Sequence, residues 1–207
     1  SAASDVYKRQ VEEQLMRVWF WVVLVVAIIA LVAWYLSYTA ARLDRLHARV
    51  EGSVSSLDAQ LVRRAEAVME LAHAGVLDPA TSMLLAHAAS TSLDLADDAE
   101  VHDEVRDFGI DRERATAESD LSHTLRVALT PDALRDIDAR PGAHTLLQRV
   151  TQAGQRVVLA RAFHDDAVRA VRRVRAQPLV RAFHLAGRTT MPQVVDFDLK
   201  PPAVDAY

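Results

Sequence analysis

Eight histidines, at positions 47, 73, 87, 102, 123, 144, 164 and 184, are the first residues to test for chemistry. No two stand one helical turn apart, the spacing that presents two imidazoles to one metal ion, and no H-E-x-x-H occurs. His102-x-Glu104 supplies at most two ligands. His164-Asp165-Asp166 puts an imidazole beside two carboxylates, but successive residues on a helix point in different directions. Ser122-His123 has neither a strand-to-helix elbow nor an orienting acid. The acidic residues between 94 and 120 lack the loop spacing and internal glycine of a calcium site. They are read as a solvated face. The six glycines do not cluster, which leaves no phosphate-binding loop. Cysteine is absent, which removes disulfides, thiol nucleophiles and thiolate metal sites. The expectation is no catalytic residue, no metal and no cofactor.

Arginine is the other chemically active type. Lys8 and Lys200 are the two lysines, and every other basic side chain is arginine. Arg169, Arg172, Arg173, Arg175, Arg181 and Arg188 form a basic stretch behind an acidic middle. Nucleic acid would call for interleaved aromatics or a known module, and neither is present, so no nucleic-acid partner is expected. Pairing with the acidic helices is a second reading. The preferred reading is contact with anionic lipid headgroups, together with Arg42 and Arg45, provided the last long helix runs back towards a bilayer.

The element that brings a bilayer into the argument is Val18 to Leu36, VWFWVVLVVAIIALVAWYL, uncharged through to Ala41. About 20 apolar residues cross a ~30 Å hydrocarbon core as a helix. Trp19 and Trp21 at one end, and Trp34, Tyr35 and Tyr38 at the other, match interfacial aromatic belts. A cleaved signal peptide has a shorter apolar run and a small-residue cleavage site. A transmembrane helix over 18–41 is therefore expected. Residues 1–17 form an N-terminal tail, of which SAASDVYKRQ (1–10) resembles a translated sequencing-library adapter and is set aside. Arg17 then precedes the span, whereas Arg42, Arg45 and Arg49 follow it, which puts the C-terminal bulk in the cytoplasm.

Beyond the span, Leu43, Leu46, Val50, Val54, Leu57, Leu61, Ala65, Val68 and Ala72 advance by threes and fours, one face of a long helix. Gly75 and Asp78-Pro79 stop and restart the chain. Residues 81–100 predict a second helix with Leu84, Leu85, Ala88, Leu93 and Leu95 in the core. Gly109 breaks it, and Asp111 caps a third helix carrying Ala115, Leu121, Leu125 and Leu129. Thr130-Pro131 starts a short fourth helix. His144 to Ala176 is the second long one, with Leu147, Val150, Ala153, Val157, Ala160, Ala167, Val171 and Val174 on one face. Residues 189–207 are proline-punctuated and read as an extended tail. The expected fold is all-α, a single transmembrane helix followed by an antiparallel helical bundle over 42–188 with long first and last helices.

The stretch after the span, L-x-R-L-x-x-R-V … L-D-x-Q-L-x-R-R, resembles the N-terminal signature of the LemA family. Leu43, Arg45, Leu46, Arg49, Val50, Leu57, Asp58, Gln60, Leu61, Arg63 and Arg64 carry it. QRVVLARAFHDDAV is similar to that family's later arginine-rich helix at Arg156, Ala160, Arg161, Asp166, Ala167 and Val168. Pro178 and Leu185-Ala186-Gly187 resemble its closing segment. Together these cover about a third of the chain. Val54, Met69-Glu70 and His164-Asp165 depart from the family pattern, as a divergent actinobacterial branch would. The resemblance implies a membrane-anchored helical bundle in bacteria and no shared reaction.

The expected role is thus a non-enzymatic interaction or scaffold module in the bacterial cell membrane. Its partners would be the lipid bilayer and either another membrane or cytoplasmic protein or a second copy. A metal-assisted hydrolase using the acidic middle is the competing class. Counting from both membrane-proximal ends places Asp58 level with Arg161, and the two are expected to pair.

Overall fold

The computed structural model describes residues 2–101, 110, 112–182 and 197–199, with side chains from residue 15 onward inside the first helix. Helix α1 spans Ala2–His73, α2 Pro79–Val101, α3 Arg112–Ala128, α4 Pro131–Asp138, α5 Ala143–Arg175 and α6 Pro178–Ala182. The described residues contain no strand, and the chain is all-α. Gly109, Asp111, the 185–187 segment, Arg188 and most of the 189–207 tail lie outside the described residues.

α1 runs without interruption through the expected tail, the expected span and the start of the expected bundle. It is one helix of 72 residues, because no proline or glycine interrupts the apolar run and Gly52 costs only about 1 kcal/mol inside a helix this long. Its part from Leu15 onward is long and apolar enough to cross a membrane. Val18 to Val32 present their side chains outward, with nothing among the described residues covering them.

The seam after Ala41 turns inward. Leu57, Leu61, Ala65 and Val68 are completely buried, and Leu43, Val50 and Ala72 nearly so. Burying one such leucine or valine contributes about 1.5–3 kcal/mol. α1 stops at His73, where Gly75 adopts a left-handed φ of 70° that a side chain would resist. Asp78 then caps α2, accepting from the amides of Ala80 and Thr81 at 3.1 Å each. Those bonds, with the Thr81 hydroxyl, hold its carboxyl below the ordinary aspartate value.

α2 corrects one expected face. Leu85, Ala89, Ser92 and Ala96 are buried, whereas Leu84 is 60 % exposed. A helix buries one stripe, and the 85–89–92–96 phase leaves position 84 about 100° outside it. Thr130 accepts from Ala133 N at 3.3 Å, capping α4 as its sequence predicts. Gly142, at φ 80°, turns the chain into α5.

α5 pairs with α1 in reverse order of sequence. Arg149 meets Glu70, His164 meets Ser53, and Val168, Val171 and Val174 pack with Leu43 and Val50. Every residue expected on its core face, from Leu147 to Val174, is buried. Three apolar clusters follow one another along this pair. The first gathers Leu71, Leu85, Leu121, Leu134 and Leu147 at the His73 end. The second sets Leu57 and Leu61 against Val157 and Phe197. The third closes Leu43 and Val50 against α5 and Val180 of α6, next to the apolar run.

Candidate functional site

Between the first two clusters the core becomes polar. Arg64 enters it from α1 with 4 % of its surface exposed, and Glu118 from α3 with none. Arg64 Nη2 lies 2.5 Å from Glu118 Oε2 and 3.1 Å from the Glu118 carbonyl, while Nη1 donates to Ser122 Oγ at 2.9 Å. The other Glu118 oxygen accepts from Ser92 Oγ at 2.6 Å. It also faces Arg114 Nε at 3.5 Å, and Arg114 Nη2 reaches Asp58 at 2.8 Å. Three helices are thus joined through one carboxylate. Two cations and two anions balance, as a buried charge requires.

This knot bears on two expectations. Asp58 is paired with Arg114 of α3 at 2.8 Å, a partner that counting along α1 and α5 does not supply. Glu118 belongs to the acidic stretch read as solvated, yet it is wholly buried. Its position follows from phase: Glu118 shares the α3 stripe with Leu121 and Leu125, one and two turns further along the same face.

A second polar contact lies between α1 and α5. His164 is 1 % exposed, and its Nδ1 stands 3.0 Å from Ser53 Oγ. Ser53 already donates to the Val50 carbonyl at 2.7 Å. A hydroxyl has one proton, and with it on the Val50 carbonyl the Ser53 oxygen is left to accept from His164 Nδ1. The His164 ring is packed into the interface between α1 and α5.

The third contact involves the segment 197–199. Phe197, 5 % exposed, sits among Leu57, Leu61, Val157 and Ala160. Arg161 covers its ring, with the guanidinium carbon 5.3 Å from the centroid, and donates to its carbonyl at 2.6 Å. Asp198 pairs with Arg126 at 2.8 Å, and its amide donates to Ser119 Oγ at 3.2 Å. The extended tail therefore ends its described part as a strap across α1, α3 and α5. Arg161 also stands 3.9 Å from Asp165 of its own helix.

The other residues singled out by resemblance divide by burial. Val50, Leu57, Leu61 and Ala167 are core, and Leu46 packs against the core at the Leu43 end. Gln60 is half-buried, and its Oε1 has no hydrogen-bond partner among the described residues. Arg63 and Arg156 are exposed. Asp166 pairs on the surface with Arg169 at 2.5 Å. Arg42, Arg45, Arg169, Arg172 and Arg173 are all exposed near the third cluster.

For catalysis the nearest arrangement is an open groove of about 250 Å³ between α4 and α5. There His144 Nδ1 lies 2.8 Å from Asp138, and Gln148 Nε2 lies 2.9 Å from His144 Nε2. The ring is oriented, but its outer nitrogen is occupied by an amide. Thr151, the hydroxyl lining the groove, gives its proton to the Leu147 carbonyl at 2.9 Å. An oriented imidazole without a nucleophile carries no acyl-transfer chemistry. Among the described residues no group of three His, Asp or Glu side chains is placed to hold a metal ion.

Sequence reasoning missed the roles of Arg114, Glu118, Ser92, Ser122, Ser53 and Phe197, testing Ser122 only as a nucleophile and reading Glu118 as solvated. The signal for the first four was available: polar residues at the apolar phase of their helices. Phe197 gave none, because a strap without periodicity shows no face. No protein-family model, no curated protein and no solved structure matches this chain.

Proposed function

We propose that the chain is a single-pass bacterial membrane protein whose LemA-like antiparallel helical bundle is a non-enzymatic interaction or scaffold module facing the cytoplasm. The observation that carries this reading is the continuity of α1: one helix supplies both the exposed apolar run and the innermost strip of the domain core. A domain built on such a helix cannot swing freely about a linker, so whatever binds it is held at a set distance from the bilayer. The excess of arginine on the domain side of the apolar run supports the cytoplasmic orientation.

Because the chain has no cysteine, a single one introduced at Glu66, which is exposed, reports topology cleanly. A membrane-impermeant maleimide is expected to label E66C only after cells are permeabilised. Labelling in intact cells would reverse the orientation, and release of the chain from membranes at alkaline pH would remove the span. Metal analysis of the purified full chain separates the enzyme class: a stoichiometric bound cation would contradict a non-enzymatic module.

A further inference from the structure

Two stretches distant in sequence meet at one end of the domain. Leu43 and Val50 of α1 pack with Val168, Val171 and Val174 of α5, so residues 42–51 and 165–182 form a single rim next to the apolar run. The rim holds eight arginines against four acidic residues, a net +4, in a chain whose formal net charge is −4. The charge of the molecule is therefore segregated, with the remainder at −8.

The apolar seams of both helices face each other, which leaves Arg42, Arg45, Arg49, Arg169, Arg172 and Arg173 exposed on the outside. Arginines of the two helices surround a common point. The Asp166 carboxyl is held below the ordinary aspartate value by Arg169 first, and also by Arg173 and by Arg49 of the facing helix. Arg42 to Arg49 follow the last uncharged residue, Ala41, by at most eight positions, about 12 Å along a helix. A headgroup layer is about 5–8 Å deep per leaflet, so Arg42 and Arg45 fall within or beside it and Arg49 lies roughly a Debye length from the hydrocarbon edge.

We propose that this rim binds the headgroups of anionic phospholipids in the leaflet on the domain side of the span. Guanidinium groups suit this ligand, since their fork geometry matches phosphate oxygens. An acidic protein has the same charge, but the bilayer is already held against the rim by α1 itself. This inference rests on the reading of 18–41 as a membrane span.

Trp34 lies at the domain end of the apolar run, and Trp19 and Trp21 at the other. The full chain carrying W19F and W21F, reconstituted in phosphatidylcholine vesicles, then reports on lipids beside the rim. Brominated phosphatidylglycerol is expected to quench Trp34 with several-fold higher apparent affinity than brominated phosphatidylcholine. The preference should vanish in about 0.5 M NaCl and in the Arg172→Glu/Arg173→Glu variant. The W19F/W34F chain, reporting from the opposite end, should show no preference.

Equal quenching of Trp34 by the two lipids, or a preference that survives charge reversal with helix content intact, would overturn the proposal. If the charge-reversed chain does not fold, the salt dependence of the otherwise unchanged rim decides. Quenching by neither lipid would remove the span itself, a failure distinct from loss of the preference alone.

Discussion

Arg64 of α1 and Glu118 of α3 form an ion pair at 2.5 Å with side chains 5 % and 0 % exposed. The pair joins helices 54 residues apart and is completed by Ser92 of α2. Desolvation offsets much of its attraction, so its main effect is to select one register of three helices over the alternatives. Glu118→Gln leaves Arg64 buried beside a neutral group and is expected to destabilise the fold by about 3–5 kcal/mol. The double variant Arg64→Met/Glu118→Leu should recover most of that loss. Chemical denaturation of both variants checks it, and equal destabilisation by the single and double changes would be evidence against a specificity role.

The His164–Ser53 contact has a tautomeric signature. Since Ser53 spends its proton on the Val50 carbonyl, nitrogen chemical shifts should show His164 protonated at Nδ1. Ser53→Ala removes the partner of a buried donor and should cost about 1–3 kcal/mol. An imidazole protonated at Nε2 alone would contradict this geometry.

Phe197→Ala tests the strap. It removes a buried ring from the second cluster and the cation–π partner of Arg161. A loss of about 3 kcal/mol is expected, with faster proteolysis near the C-terminus. Unchanged unfolding and unchanged cleavage would mean that the strap does not hold in solution.

Asp78 gives a pH dependence with a definite sign. Its carboxyl is held low by the Thr81 hydroxyl and by amides at the start of α2. A lowered folded value stabilises the protein above the unfolded value of about 3.9, and the contribution is lost as pH falls through the lower folded value. The stability gap between the native chain and Asp78→Ala should therefore be widest near neutral pH and close on acidification. A gap that widened in acid would reverse the assignment.

How much of this was legible beforehand depends on periodicity. The seams of α1 and α5 declared themselves because valine, leucine and alanine recur every three or four residues over many turns. The stop at Gly75 and the restarts at Asp78-Pro79 and Thr130-Pro131 were equally readable from local chemistry. The partner of Asp58 was not. Linear counting aligns α1 with α5, but it says nothing of Arg114, which α3 brings to Asp58. Glu118 was misread because charge was weighed by composition and not by phase. Phe197 shows the remaining gap: a single ring seated by tertiary contact carries no local signal.

The central claim is that α5 returns along α1, so that its arginine-rich end lies beside the apolar run. Electron–electron distances in the full, otherwise cysteine-free chain measure this directly. Labels at Arg45 and Arg173 should lie within about 20 Å of each other, whereas labels at Arg45 and Arg149 should be about 40 Å apart, given that Arg149 stands level with Glu70 and a helix rises about 1.5 Å per residue. A short 45–149 distance with a long 45–173 distance would contradict the arrangement outright.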